Sequence, residues 1–317
     1  MKKIVITGAT GSIGLALIKE CISHQVEVLA LVHPGSERIN RIPPSDLVKV
    51  VECDLKDMAA YGDSRQGYYD AFFHLGWMAT SDDRKRNLLA LQAQNIQYAL
   101  DGVKLAADLH CSVFVGAGSQ AEYGRTEEVL TESTVPHPET GYGMAKLCAG
   151  QMTRLACRQL GIRHIWTRIL STYGPESHRK SVLSYTIQEL LKGNSPCLTG
   201  GEQIWDFMYV EDTAKALYAL AQYGRDGETY VLGSGSSDLL RNYLIKARQA
   251  VEQITGRKTP ALGLGEVPYG EHGVMHLACS IDKLTEHTGF RPQTSFEEGI
   301  KQTIYRMMEE GTDHPLE

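Results

Sequence analysis

The sequence predicts an α/β fold, a doubly wound and mainly parallel sheet with a smaller mixed lobe. Two observations predict it. Strand-like and helix-like segments alternate through the first half of the chain, and a glycine-rich turn joins the first strand to the first helix. Alternation of this kind implies right-handed crossovers and parallel pairing.

Lys3 to Thr7 is a short β-rich run, and Ile13 to Ser23 has helical spacing with Ile13, Leu17 and Ile18 on one face. Val26 to Val32, Leu47 to Cys53 and Ala71 to Leu75 read as the next strands. A long helix is expected over Leu88 to Leu109, a strand over Ser112 to Gly116, a second long helix over Gly141 to Gly161, and a strand over Ile162 to Ile169. After Pro175 the rhythm breaks into Gly- and Pro-rich segments. A helix at Ser181 to Lys192, isolated strands at Phe207 to Val210 and Thr229 to Leu232, and a closing helix at Phe296 to Glu310 stand among them. Residues 1–172 are expected to form the sheet domain, with 204–235 returning to it. Residues 173–203 and 236–317 form the lobe.

A hydrophobic fraction of 42% over 317 residues is enough for a substantial core. A net charge of -6 without a basic tract gives no reason to expect nucleic acid. Apolar runs are strand-sized, so no membrane partner is expected. A strand begins almost at once, leaving no room for a signal peptide. The seven cysteines never pair as C-x-x-C, which favours free thiols in a reducing cytoplasm over metal ligands or disulfides.

The turn Thr7-Gly8-Ala9-Thr10-Gly11-Ser12-Ile13-Gly14 lies between a strand and a helix. Glycines there let the backbone bend tightly and approach a pyrophosphate, which the helix N-terminus attracts. Gly8, Thr10, Gly11, Ser12, Ile13 and Gly14 are therefore expected to hold NAD(P) in a Rossmann-type domain. The second strand should end on the residue that reads the adenosine ribose. Here it runs Val32-His33-Pro34-Gly35-Ser36-Glu37-Arg38. No carboxylate stands at the strand end, and His33, Ser36 and Arg38 can surround a 2′-phosphate. The loop therefore favours NADP, with Glu37 close enough to compete for NAD.

Tyr142 and Lys146 are four residues apart, one turn on the same helix face. A phenol is a poor base at neutral pH, and a neighbouring ammonium favours its ionised form. Such a tyrosine can exchange a proton with an alcohol or ketone. The spacing alone is common. Its weight comes from its place at the start of the long helix that follows a strand ending near Ser119.

Together these motifs resemble the extended short-chain dehydrogenase/reductases, the family of nucleotide-sugar epimerases, dehydratases and ketoreductases. The likeness covers nearly the whole chain. Val113 to Ser119 resembles the strand that delivers the family's third catalytic residue, Ser119. Asp54-Leu55 resembles the pair that meets the adenine, although Asp54 is equally suited to cap a helix. His74-Leu75-Gly76 resembles the strand end beside the cofactor, and Asn95 a structural asparagine. Arg168 to Pro175, Trp205 to Asp212 and Phe290-Arg291-Pro292 resemble the later family motifs. The resemblance implies that Ser119, Tyr142 and Lys146 are catalytic, that Lys146 also holds the nicotinamide ribose, and that the chain forms a homodimer through its two long helices.

Departures narrow the expectation. Ser119 is followed by Gln120 and Ala121 rather than by the Asp and Glu of 4,6-dehydratases, and Glu122 is out of register, so dehydratase chemistry is not expected. The string Gly118 to Gly124 is similar to that of 4-epimerases and 4-ketoreductases. Ser119, Glu122, Ser171 and Trp205 are the expected substrate contacts on a nucleotide-sugar. Ser171 replaces a frequent Asn, and Trp205 replaces an Arg that often meets the diphosphate. Trp205 would stack on a base or sugar, or pack in the core. Arg84, Arg86, Arg179, Lys180 and Arg241 are candidate cations. Reduction of a non-sugar carbonyl and non-catalytic NAD(P) sensing remain the alternatives.

Overall fold

Residues Lys3–Thr7 form strand β1, whose Ile4, Val5 and Ile6 have no exposed surface. A strand covered on both faces must be apolar on both. The structure is a computed structural model describing residues 1–63, 67–80, 85–175, 181–270 and 275–313. After β1 come α1 (Ser12–Ser23), β2 (Glu27–Val32), β3 (Val48–Glu52), α2 (Met58–Asp63) and β4 (Ala71–His74). Helix α3 (Leu89–Asp108), β5 (Val113–Ser119), α4 (Gly141–Leu160), β6 (Arg163–Ile169) and β7 (Ser171–Tyr173) follow. The second half runs α5 (Val182–Lys192), β8 (Cys197–Leu198), β9 (Ile204–Tyr209), α6 (Val210–Tyr223), β10 (Glu228–Leu232) and β11 (Ser237–Leu239). It ends with α7 (Leu240–Thr255), β12 (Gly263–Leu264), α8 (Asp282–Thr288) and α9 (Phe296–Asp313).

Seven strands make one sheet in the order β10-β6-β5-β4-β1-β2-β3, with every pair parallel. This is the doubly wound α/β fold that the alternation predicts. Helices α1 and α6 pack together over one core, while α2, α3 and α4 pack over the other. The chain leaves β1 toward β2 on one side and returns through β4 on the other. That reversal opens a crevice beyond the strand ends, the usual ligand position in such sheets.

The second half was less legible. Helix α7 buries Leu240, Tyr243, Leu244, Ala247, Ala250 and Val251, a clear three-and-four spacing that the Gly- and Pro-rich flanks obscure. The strand expected from Phe207 begins at Ile204, and β5 continues to Ser119 rather than stopping at Gly116. Of the segment expected to return to the sheet, β10 pairs with β6 and α6 packs on α1, but β9 joins β7 and β11 in a separate three-stranded sheet. Helix α8 packs on α6 and β10, and its Leu284 enters the large-sheet core. Residues 282–288 therefore sit with the sheet rather than with the lobe assigned from sequence. The lobe has its own core, built from α5, α7 and α9 around Tyr173 and Tyr209. Among the described residues no helix is long and apolar enough to cross a membrane.

Candidate active site

Gly8 takes a φ of +68°, a left-handed conformation that favours glycine. Its carbonyl accepts the Gly11 N–H at 3.0 Å, closing the turn. A Cβ on Gly8 would lie 2.7 Å from the Gly76 nitrogen, and one on Gly14 would lie 2.4 Å from the Gly8 oxygen. The two glycines thus let β1, the start of α1 and the end of β4 touch through bare backbone. No side chain caps α1 at Gly11, so the N–H groups of its first turn are available to an anion.

A cleft of about 240 Å³ opens beside this turn. Thr7, Gly8, Ala9 and Thr10 form one wall; Leu31, Val32 and His33 close the β2 end. Cys53, Asp54 and Leu55 come from the loop after β3, and Gly76, Trp77 and Met78 from the loop after β4. Of the residues expected at the cofactor, Gly8, Thr10, His33, Asp54, Leu55 and Gly76 line it. Gly11, Ser12, Ile13 and Gly14 continue the turn into α1, and Leu75 packs against the large-sheet core behind it. Asp54 caps the turn after β3, accepting the Lys56 N–H at 3.3 Å, and it also lines the cleft. Thr7 Oγ1 accepts the Gly76 N–H at 3.1 Å and lies 3.2 Å from His74 Nδ1, tying the ends of β1 and β4. Burial lowers the His74 pKa to about 3, which keeps its ring neutral.

Ser36 and Arg38 stand apart from these residues. Arg38 is exposed, Ser36 is half-buried with its Oγ accepting the Arg38 N–H, and neither lines the cleft. The loop after His33 turns at Gly35, φ +69°, whose N–H donates to Glu52 rather than opening toward a ligand. His33 Nε2 instead lies 3.5 Å from Asp54 Oδ2 across the mouth.

Ser119, Tyr142 and Lys146 come together beside this cleft. A Cβ on Gly143 would lie 2.2 Å from the Ala121 oxygen, so α4 begins directly against the turn that follows Ser119. Thr140 caps α4 by accepting the Gly143 N–H, and Asn87 Oδ1 accepts the Gly141 N–H at 2.9 Å. These contacts bring the Ser119 hydroxyl within hydrogen-bonding reach of the Tyr142 phenol. Ser119 Oγ also accepts the Ala121 N–H at 3.2 Å, so the serine caps a turn as well. Lys146 Nζ donates to the Ala117 carbonyl at 2.6 Å and lies 5.8 Å from the Tyr142 ring centre.

Burial dominates the electrostatics. It pushes the Tyr142 phenol up, with Ser119 and Arg86 pulling it back, and it lowers Lys146 to about 7. The lowering expected for the phenol from its lysine neighbour is therefore not what the protein alone produces.

Other expectations separate from the site. Glu122 is wholly buried: Oε1 accepts from the Ser119 N–H and Trp166 Nε1, and Oε2 from Arg168 Nε. It cannot reach a substrate, because both oxygens are turned into the protein. Ser171 stands half-buried on β7 opposite Phe207. Trp205 packs between two hydrophobic clusters, and its indole N–H is buried without a partner among the described residues. That placement matches the core alternative rather than an exposed stacking platform. Arg84, Arg179 and Lys180 lie outside the described residues, while Arg86 stands 5.3 Å over the Tyr142 ring. Trp77 and Gln92, joined at 3.0 Å, were missed; the only signal was a large aromatic directly after the glycine of the β4 loop. Among the described residues no group of three or more His, Cys, Asp or Glu gathers as a metal site.

The family described as the NAD dependent epimerase/dehydratase family matches residues 4–233. The chain belongs to this family. It is an enzyme family of nucleotide-sugar epimerases and dehydratases, as the sequence resemblance implied. The chain is 27% identical to dTDP-glucose 4,6-dehydratase 1 of Escherichia coli strain K12 over 340 residues, covering 95% of this chain and 91% of that one. A UDP-N-acetylglucosamine 4-epimerase from Methanobrevibacter ruminantium superposes with a TM-score of 0.86 at 21% identity, covering 98% of this chain and 99% of that one. A dTDP-glucose 4,6-dehydratase from Streptomyces venezuelae solved with NAD gives 0.84 at 21%, covering 99% and 100%. The family is NAD dependent, and the preference for NADP is not supported. The dehydratases among the relatives stand against the expectation that such chemistry is excluded.

Proposed function

We propose that this family member works at C4 of a nucleotide-activated sugar, as a 4-epimerase or, using the reductive half alone, a 4-ketoreductase. One observation carries the reading: the Ser119 hydroxyl pairs with the Tyr142 phenol, whose ring meets Trp77 of the glycine-cradled cleft, while the nearest carboxylate after Ser119 is locked away. Gln120 and Ala121 occupy the places where a dehydratase would need an acid and a base. The amide and methyl can supply neither, which favours C4 chemistry without loss of water even though the 26–27% relatives are dehydratases.

The residues suit NAD. Gly8, Thr10, Gly11, Ser12 and Ile13 would hold its pyrophosphate, His33, Asp54 and Leu55 its adenosine end, and Leu75, Gly76 and Lys146 its nicotinamide side. No Lys or Arg lines the described cleft to meet a 2′-phosphate. Bound there, NAD supplies a two-electron acceptor at the sugar carbon. The Ser119 hydroxyl would hydrogen-bond the reacting oxygen. Tyr142 would take its proton and return it, and the Lys146 ammonium would hold the phenolate charge. Exposed Leu89 on α3 and Met144, Met152 and Leu155 on α4 leave an apolar face that suits a homodimer.

The test is incubation with UDP-glucose, UDP-N-acetylglucosamine or dTDP-glucose, with NAD or with NADPH and the 4-keto sugar, followed by NMR of the product. Inversion or reduction at C4 is expected. Release of a 4-keto-6-deoxy sugar would overturn the choice against dehydration.

A further inference from the structure

Trp77 lines the dinucleotide cleft and touches both members of the Tyr-Lys pair. Lys146 Nζ sits 3.8 Å over the indole, and the Tyr142 ring meets the same indole edge-on at 6.1 Å and 90°. The indole is also anchored from behind. Its N–H donates to Gln92 Oε1 at 3.0 Å; Gln92 in turn donates to the Lys85 carbonyl at 3.2 Å. Asn95 accepts the Met78 N–H at 2.9 Å and donates to the Met78 carbonyl, fixing the next residue of the same loop. Gln92, Asn95 and Trp77 are all buried.

We infer that Trp77 is a positioning residue: its π face holds the Lys146 ammonium at the cleft wall, so one ring links dinucleotide binding to the acid–base pair. The inference deepens the function proposed above and rests on it. The physical reason is specific. A buried ammonium needs compensation, and here two groups face it directly, the Ala117 carbonyl and the indole. The face of an indole is negative and attracts a cation, more strongly where water is excluded. The titratable and charged groups around Lys146 are Glu122, Tyr142 and His74, with Arg86 beyond the phenol; α3 contributes the neutral Gln92 and Asn95. Burial lowers the Lys146 pKa to about 7, within easy experimental range.

Fluorination of the indole weakens the π face with little change in bulk. The test therefore uses the full chain labelled with 13C-lysine and grown with tryptophan, fluorotryptophan or difluorotryptophan. The Lys146 signal is assigned by its loss in Lys146→Met. Its NMR midpoint is expected to fall stepwise with fluorine, by about 0.3 pH units or more across the series. In Trp77→Phe the midpoint should ignore fluorination, which separates Trp77 from Trp166 in the same cluster. A midpoint indifferent to fluorine in the wild type, or a shift that survives in Trp77→Phe, overturns the inference. A residue that merely fills space would give the indifferent result.

A second arm reads the cleft. The 19F resonance lost in Trp77→Phe should move when NAD is added. If calorimetry detects NAD binding but that resonance stays still, the link between cleft and indole is refuted. If calorimetry detects no NAD binding, the proposed cofactor fails, while the Lys146 titration still decides what the indole does.

Discussion

Glu122 and Arg168 form an ion pair in which Arg168 Nε donates to Glu122 Oε2 at 2.9 Å and the carboxylate has no exposed surface. Burial pushes the Glu122 carboxyl up and the guanidinium draws it back. Three N–H donors on its two oxygens fit the ionised form. The pair joins the turn after Ser119 to β6, so it holds Ser119 from behind. Glu122→Gln turns an amide N–H toward one of those donors and leaves a buried guanidinium without its counter-charge. A loss of about 3–5 kcal/mol is expected from urea denaturation. An unchanged midpoint would show that the pair does not support the fold.

In the proposed mechanism Tyr142→Phe removes the proton carrier, along with its hydrogen bond to Ser119, and keeps the ring. Turnover should fall about a hundredfold or more, while NAD affinity by calorimetry stays close to wild type. A loss below about threefold in a verified assay would remove Tyr142 from the chemistry.

Lys146 gives a stability signature in pH. Its folded value is about 7 against an unfolded 10.5, so the unfolded chain binds the extra proton between those values. Stability contributed by this site therefore rises with pH across that window, and below about pH 7 the full cost of the buried charge is present. Lys146→Met removes that cost and should abolish turnover. Its melting temperature should exceed wild type by several degrees near pH 6 and converge with it toward pH 10. A constant difference at all pH values would contradict the burial argument.

Gly14→Ala tests the turn. The new methyl would stand 2.4 Å from the Gly8 oxygen, a backbone atom that cannot swing aside. A destabilisation of about 1–3 kcal/mol and weaker NAD binding should appear together. Wild-type NAD affinity in a folded variant would show that the close packing of this turn is dispensable.

Arg38→Ala separates two accounts of the adenosine end. Because Arg38 is exposed and off the cleft wall, affinity for NAD and for NADPH should each change by no more than about twofold. A selective loss of NADPH binding would restore the phosphate-binding role that the sequence suggested.

What could be read in advance followed local rules. The Gly8, Gly11 and Gly14 spacing between a strand and a helix marked a dinucleotide turn, because tight bending and close backbone approach demand glycine whatever surrounds it. The helical spacing of Tyr142 and Lys146 was equally local. Helix α7 shows the limit, since its apolar spacing was present but embedded among glycines and prolines. Glu122 and Trp205 show a deeper one, because a charge or an indole in a string carries no sign of which way it will face.

By itself the sequence determined the alternating fold, the glycine turn and the one-turn spacing of Tyr142 and Lys146, since each depends on residues near one another in the chain. Tertiary structure alone decided that Glu122 is a buried partner of Arg168, that Arg38 is off the cleft, and that Trp77 lies under Lys146. Those outcomes depend on packing between residues 46 and 69 positions apart or on a wall formed by four separate segments, and burial, which fixes charge and orientation, exists only once those segments meet.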